Sequence, residues 1–136
     1  MSHFPVVGIG ASAGGLDALK KFFSTIPKDS GMAFVLILHL DPNHESLMAD
    51  LLARYTVLKV LQAEDKMPLE CNFVYVIPPN KYLTIQKGVL HLSEPCGLRM
   101  PIDYFFRSLA EEQQEKAIVK RTRIVAIKIK HLRRLF

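Results

Sequence analysis

The segment Gly10-Ala11-Ser12-Ala13-Gly14 fits the pattern G-x-S-x-G and lies between an apolar run and an amphipathic stretch. That pattern and context are typical of a nucleophile elbow, a sharp strand-to-helix turn that presents a serine hydroxyl. Small neighbours such as Gly10 and Gly14 would relieve crowding around the serine. Backbone N–H groups at the start of the next helix lack partners and could stabilise an oxyanion. We therefore predict that Ser12 is a hydrolase nucleophile.

A candidate general base follows the second apolar run. Ala33–Leu38 is short, continuous and apolar, and His39 comes directly after it. Histidine is the most common general base for a serine hydroxyl. Neighbouring parallel strands lie about 4.8 Å apart, so residues at their carboxyl ends can approach each other. We expect His39 to lie close to Ser12.

The same turn also fits a dinucleotide-binding fingerprint, because Gly8, Gly10 and Ala13 match G-x-G-x-x-A. That fingerprint requires an acidic residue at the end of the second strand, where it holds a ribose hydroxyl. The second strand ends instead in His39, which favours the hydrolase interpretation. A nucleotide- or phosphate-binding module that uses the Gly8–Gly15 turn stays an alternative.

Metal binding is the weaker interpretation of His39, Asp41 and His44, because no further cluster of ligands accompanies them. We predict no metal site. Cys71 and Cys96 are the only cysteines and are not spaced as a redox pair. No apolar run reaches the roughly 18 residues of a membrane span, and the first residues do not resemble a secretion signal. We expect a cytoplasmic protein.

The predicted elements must place Ser12 and His39 at one edge of a sheet. Strands alternate with amphipathic helices in the first half, which indicates right-handed βαβ units. We predict an α/β fold: an open, mostly parallel sheet with flanking helices, an incomplete doubly wound domain, plus a β-hairpin. The predicted strands are 6–9, 33–38, 57–63 and 73–77, the hairpin strands are 82–86 and 89–92, and the helices are 16–26, 47–55 and 102–114.

The charge divides the chain into two parts. Residues 1–115 carry 10 Lys and Arg against all 13 Asp and Glu, whereas residues 116–136 carry 8 Lys and Arg and no acid. Three interpretations of this tail stay open: an out-of-frame or truncated end, which we favour, a basic arm for nucleic acid or anionic membrane, and an exposed strand and helix. Alternation of Ile127 and Ile129 with Lys128 and Lys130 is typical of an edge strand. Because no aromatic residue interleaves these charges before Phe136, nucleic-acid binding is not favoured.

The ordered motifs resemble a known family. The run 7–15 and His39 resemble the catalytic domain of the chemotaxis protein-glutamate methylesterases. Three further segments, 63–65, 76–80 and 101–110, follow the layout of that family in order. The form His39-Leu40-Asp41-Pro42 is more similar to methylesterase modules fused to a methyltransferase and a sensor kinase. The resemblance covers residues 4–117, and we assign 1–117 to the amino-terminal part of this domain and 118–136 to a divergent basic tail.

The resemblance implies a protein-glutamate methylesterase that hydrolyses glutamate γ-methyl esters on methyl-accepting chemoreceptors. It implies Ser12 as nucleophile and His39 as base. Backbone N–H groups at Ala13 and Gly14 would hold the oxyanion. The family calls for no cofactor, and methyltransferase or kinase modules are its possible partners.

The resemblance ends before the third member of the family's catalytic triad. That member is an aspartate in a G-x-G-x-D-G loop, but Gly97 is the last glycine of this chain. We therefore expect truncation to impair the esterase activity of these 136 residues.

Overall fold

A computed structural model describes residues 4–12, 16–39, 48–95, 101–119 and 124–129. For residues 12, 16, 39, 112–119 and 124–129 it describes the backbone alone. The strands are β1 (Val6–Ser12), β2 (Ala33–His39), β3 (Lys59–Gln62), β4 (Met67–Pro68), β5 (Phe73–Val76), β6 (Tyr82–Gln86), β7 (Val89–Ser93) and β8 (Ile124–Ile129). The helices are α1 (Leu16–Ser24), α2 (Met48–Ala53) and α3 (Pro101–Val119).

Five strands form a fully parallel sheet in the order β3-β5-β2-β1-β8. Its central strands are continuous apolar runs because helices cover both faces of the sheet. The other three strands form a separate antiparallel sheet in the order β4-β7-β6. The structure confirms the predicted α/β class, the parallel sheet with flanking helices and the β-hairpin.

Alternate residues of the central strands belong to two different cores. One core lies where α1 and α2 cover the sheet and includes Ile9, Phe23 and Leu52. The other lies where α3 and the antiparallel sheet cover it and includes Ile37, Leu83 and Phe105. This division follows from the two-residue period of a strand, which sends successive side chains to opposite faces.

Two strands are longer than predicted and end at the two candidate catalytic residues, Ser12 and His39. The apolar run predicted β1 to end at Ile9, but the strand continues through Ser12. Likewise, β2 includes His39 as its last residue. Parallel pairing explains the extension, because each strand continues as long as its neighbour offers backbone partners.

Part of the basic tail is an edge strand. β8 pairs with β1 in parallel, from Val6 opposite Ile124 to Ala11 opposite Ile129. This pairing agrees with the strand of the third interpretation, in which the tail forms an exposed strand and helix. Residues 120–123 and 130–136 lie outside the described residues, and the division of the chain after residue 117 stays a prediction.

Helix α3 packs against β1 through two glycines. A Cβ at Gly10 would lie 2.6 Å from Cγ2 of Ile102, and one at Gly8 would lie 2.8 Å from Cδ2 of Leu109. Only glycine therefore permits this separation between helix and strand. We expected Gly10 to relieve crowding around Ser12, whereas the structure shows it making room for α3.

The other side of α3 is fixed to the antiparallel sheet by Ser108, which is buried. Its Oγ accepts a hydrogen bond from the Ile85 N–H at 2.8 Å and donates one to the Ile85 carbonyl at 3.0 Å. One hydroxyl thereby satisfies both backbone groups of Ile85 that face away from β7. None of the described helices, α3 included, has the length and apolar character needed to span a membrane.

We predict that Gly10→Ala destabilises the protein by about 1–3 kcal/mol, because the added methyl group forces Ile102 and the start of α3 outward. Ile102 cannot swing clear, since it branches at Cβ. Chemical denaturation would measure the free energy of unfolding. The double variant Gly10→Ala, Ile102→Ala should lose less stability than the two single changes added together. Strict additivity would refute this account of Gly10.

We predict that Ser108→Ala costs about 1–3 kcal/mol, because it leaves the Ile85 N–H and carbonyl without partners in a buried place. The matched control is Ser24→Ala, where an exposed hydroxyl donates only to the Lys21 carbonyl within its own helix. Thermal or urea unfolding of both variants provides the comparison. Equal losses in the two would show that the Ser108 bonds add nothing specific.

Candidate active site

The parallel pairing of β1 with β2 brings Ser12 and His39 together. The register runs from Val6 opposite Ala33 to Ser12 opposite His39, without a break over seven residue pairs. Residues in register on neighbouring parallel strands are about 4.8 Å apart in the backbone. The expected neighbourhood of the two residues is thus present in the backbone, at the carboxyl ends of both strands.

Strand periodicity assigns both positions to the α3 face of the sheet. Gly8 and Gly10 face α3, and position 12 continues that series along β1. Ala33, Val35 and Ile37 belong to the core on the same face, and position 39 continues that series along β2. The pair therefore lies just beyond the contact between Gly10 and Ile102, at the end of the sheet where α3 begins.

The strand order changes direction at this point. From β1, the chain proceeds through α1 to β2 on one side, whereas β8 lies on the other side of β1 and follows α3. In open α/β sheets, ligands bind outside the carboxyl ends of the strands where the strand order changes direction. Ser12 ends β1 at this switch point.

The structure argues against the alternative that the Gly8–Gly15 turn binds a dinucleotide. Gly8 and Gly10 lie inside β1 and not in the turn that follows it. The positions where their side chains would lie are occupied by Leu109 and Ile102 of α3, so they do not expose the backbone to a pyrophosphate. In that fingerprint the glycines form the tight turn itself and allow the backbone to approach the phosphates.

The predicted oxyanion donors Ala13 and Gly14 lie outside the described residues, as do Asp41 and His44. Within the described ranges, no three side chains of the His, Cys, Asp and Glu types are grouped closely enough to hold a metal ion.

A residue with a shifted pKa, Tyr75, lies in the core and not at the candidate site. Burial raises the pKa of the Tyr75 phenol. The hydrogen bond from the Glu70 backbone acts against this rise, and the Glu70 carboxylate adds to it. The phenol oxygen accepts a hydrogen bond from the Glu70 N–H at 2.7 Å. Tyr75 belongs to the middle of β5 and to the core, so this shift reflects packing.

Sequence reasoning missed the residues of α3 that adjoin the site. The sequence pattern predicts that Ile102 lies in a helix, but it does not indicate that this side chain contacts Gly10. One signal was available: Gly8 and Gly10 are two residues apart, which puts both on one face of a strand. Two glycines on one strand face indicate that another backbone element passes close by.

Comparisons with known proteins identify the family of this chain. The model of the CheB methylesterase family matches residues 7–120. A Burkholderia orbicola protein-glutamate methylesterase/protein-glutamine glutaminase is 36% identical over 118 residues, covering 83% of this chain and 34% of the relative. A Leptospira interrogans protein named for the same two activities is 29% identical over 120 residues, covering 85% of this chain and 62% of that protein.

The structural comparison gives the same family. The crystal structure of the Thermotoga maritima CheB methylesterase catalytic domain superimposes with a TM-score of 0.73 and 25% identity. The match covers 90% of this chain and 66% of that domain. The chain thus spans between a third and two thirds of the curated relatives named above. From the family match over 7–120, the ordered motifs and the shared fold, this chain belongs to the CheB methylesterase family.

Proposed function

We propose that this chain supplies the nucleophile and the general base of a protein-glutamate methylesterase. The observation that carries the proposal is the register of β1 and β2, which puts Ser12 opposite His39 at the carboxyl edge of the sheet. A hydroxyl and an imidazole at adjacent strand ends are the groups that a serine–histidine pair requires, and this supports the proposal. The names of the relatives support a glutamate γ-methyl ester as the substrate.

In the proposed reaction, His39 accepts the proton of the Ser12 hydroxyl while the serine oxygen attacks the ester carbonyl carbon. Backbone N–H groups at Ala13 and Gly14 donate to the resulting oxyanion. The intermediate collapses with cleavage of the bond to the methoxy oxygen, which takes the proton from His39 and leaves as methanol. Water then attacks the acyl-serine carbonyl carbon while His39 accepts a proton from that water. The bond to the Ser12 oxygen breaks, His39 gives this proton to Ser12, and the free glutamate carboxyl group is released. No cofactor enters either step.

The setting of this reaction is also part of the proposal. The protein substrates are methyl-accepting chemoreceptors, and a methyltransferase or kinase module is the partner in signalling. The cytoplasm is the proposed location, and the absence of paired cysteines supports it.

A fluorophosphonate probe tests the nucleophile. We expect long incubation of the chain with the probe to label Ser12, and we expect Ser12→Ala to abolish the label. His39→Gln should slow labelling strongly, because glutamine cannot accept the serine proton. Ser24→Ala is the matched control, since Ser24 is an exposed serine on α1 that should not react. Mass spectrometry locates the adduct, and labelling that survives Ser12→Ala would exclude Ser12 as the nucleophile.

Turnover is expected to be slow when the 136 residues are assayed alone. No aspartate in a G-x-G-x-D-G loop follows α3 in this sequence to orient His39. In a serine protease, replacing the corresponding aspartate lowers turnover about 10⁴-fold. We predict a loss at least that large in methanol release from methylated receptor, relative to the Thermotoga maritima catalytic domain. A rate within tenfold of that domain would contradict the need for an orienting carboxylate.

A further inference from the structure

A cavity of about 790 Å³ lies on the outer side of α3, between that helix and the antiparallel sheet. Its volume is within the range of protein ligand sites, roughly 300–1,000 Å³. The glycine contacts with β1 involve other α3 residues, Ile102, Phe105, Phe106 and Leu109. The cavity is therefore separate from the Ser12 and His39 edge, with the helix between them.

Cationic side chains from three separate elements line this cavity. Lys66 precedes β4, Lys87 occupies the turn between β6 and β7, and Arg107 is on α3, with His91 of β7 beside them. Among the described residues, neither Lys66 nor Arg107 forms an ion pair. Residues 1–115 have more acids than bases, so this gathering of cations is a local exception.

Hydrogen bonds fix the backbone segments that carry these cationic side chains. Arg107 precedes Ser108, whose two hydrogen bonds to Ile85 fix α3 to the sheet beside the cavity. The Leu69 N–H donates to the Gly88 carbonyl at 2.9 Å, which ties the hairpin turn to the chain after β4. Because these backbone segments are fixed relative to one another, the positive groups stay near each other and the entropic cost of binding an anion is lower.

The remaining lining residues favour an acidic protein segment over a nucleic acid. The half-buried Val89 offers apolar surface for the methylene groups of glutamate side chains. The aromatic residue of the lining, Tyr104, packs against Tyr82 with ring centroids 4.8 Å apart, so its ring is not a free platform for a base. Glu111 also lines the cavity and would repel either kind of polyanion, so the preference for a protein segment rests on the apolar wall and on Tyr104.

We propose that this cavity is a docking site for a glutamate- or aspartate-rich segment of a partner protein. Arg107 and Lys66 receive the carboxylates, Lys87 adds positive potential, and the apolar wall accepts the side-chain stems. The site acts independently of Ser12, so it holds a partner whether or not the ester chemistry proceeds.

The test uses a short fluorescein-labelled peptide rich in glutamate, with fluorescence anisotropy of the full chain as the readout. We expect binding that weakens as ionic strength rises and that falls at least about tenfold in the double variant Lys66→Glu, Arg107→Glu. The matched control is Lys21→Glu, Lys28→Glu, which changes the net charge equally at two exposed lysines outside the cavity. The control should keep its affinity, and Ser12→Ala should bind as the parent does.

Each contrary result overturns the proposal. Equal loss in both double variants would indicate that net charge alone drives binding, and no loss in either would place the peptide elsewhere, for example on the basic residues after 115. A glutamine version of the peptide should not bind. If a single-stranded oligothymidylate of matched charge binds with the same dependence on Lys66 and Arg107, the cavity is a nucleic-acid site. Thermal unfolding of each variant confirms that the fold is retained.

Discussion

The close approach of α3 to β1 is the constraint on which the site depends. Gly8 and Gly10 leave the α3 face of the central strand bare, and side chains of the helix occupy the space. Leu109 and Phe105 then complete the core beneath the sheet, and Ile102 packs two residues before Ser12. A larger residue at either glycine would displace the helix, because a packed interior leaves no free volume for it.

This packing also sets where β1 ends relative to the helices on either face of the sheet. Helices α1 and α3 cover opposite faces of the sheet, so the connections diverge at β1, which is where open α/β sheets bind their ligands. The unbroken register from Val6 to Ser12 then fixes the serine opposite His39. Backbone pairing sets the spacing of the proposed nucleophile and base, and a rigid sheet makes that spacing reproducible.

The two surfaces of α3 serve different purposes. One surface packs on β1 beside the proposed ester chemistry, and the other carries Arg107 into the cationic cavity. Ser108 lies between these surfaces and ties the helix to β6 with both of its hydrogen bonds. A partner held at the cavity would therefore be positioned by the same helix that packs on β1.

The sequence by itself determined the α/β class, the hairpin and the candidate pair, because these depend on local patterns. Continuous apolar runs indicated the strands, Ser12 lies in the G-x-S-x-G segment that follows the first run, and His39 comes directly after the second. Only the tertiary structure decided the strand order, the extension of β1 through Ser12, the contact of Gly10 with Ile102 and the grouping of Lys66 with Arg107. Those features join residues from distant parts of the chain, and a local pattern contains no information about which distant segment will be the neighbour.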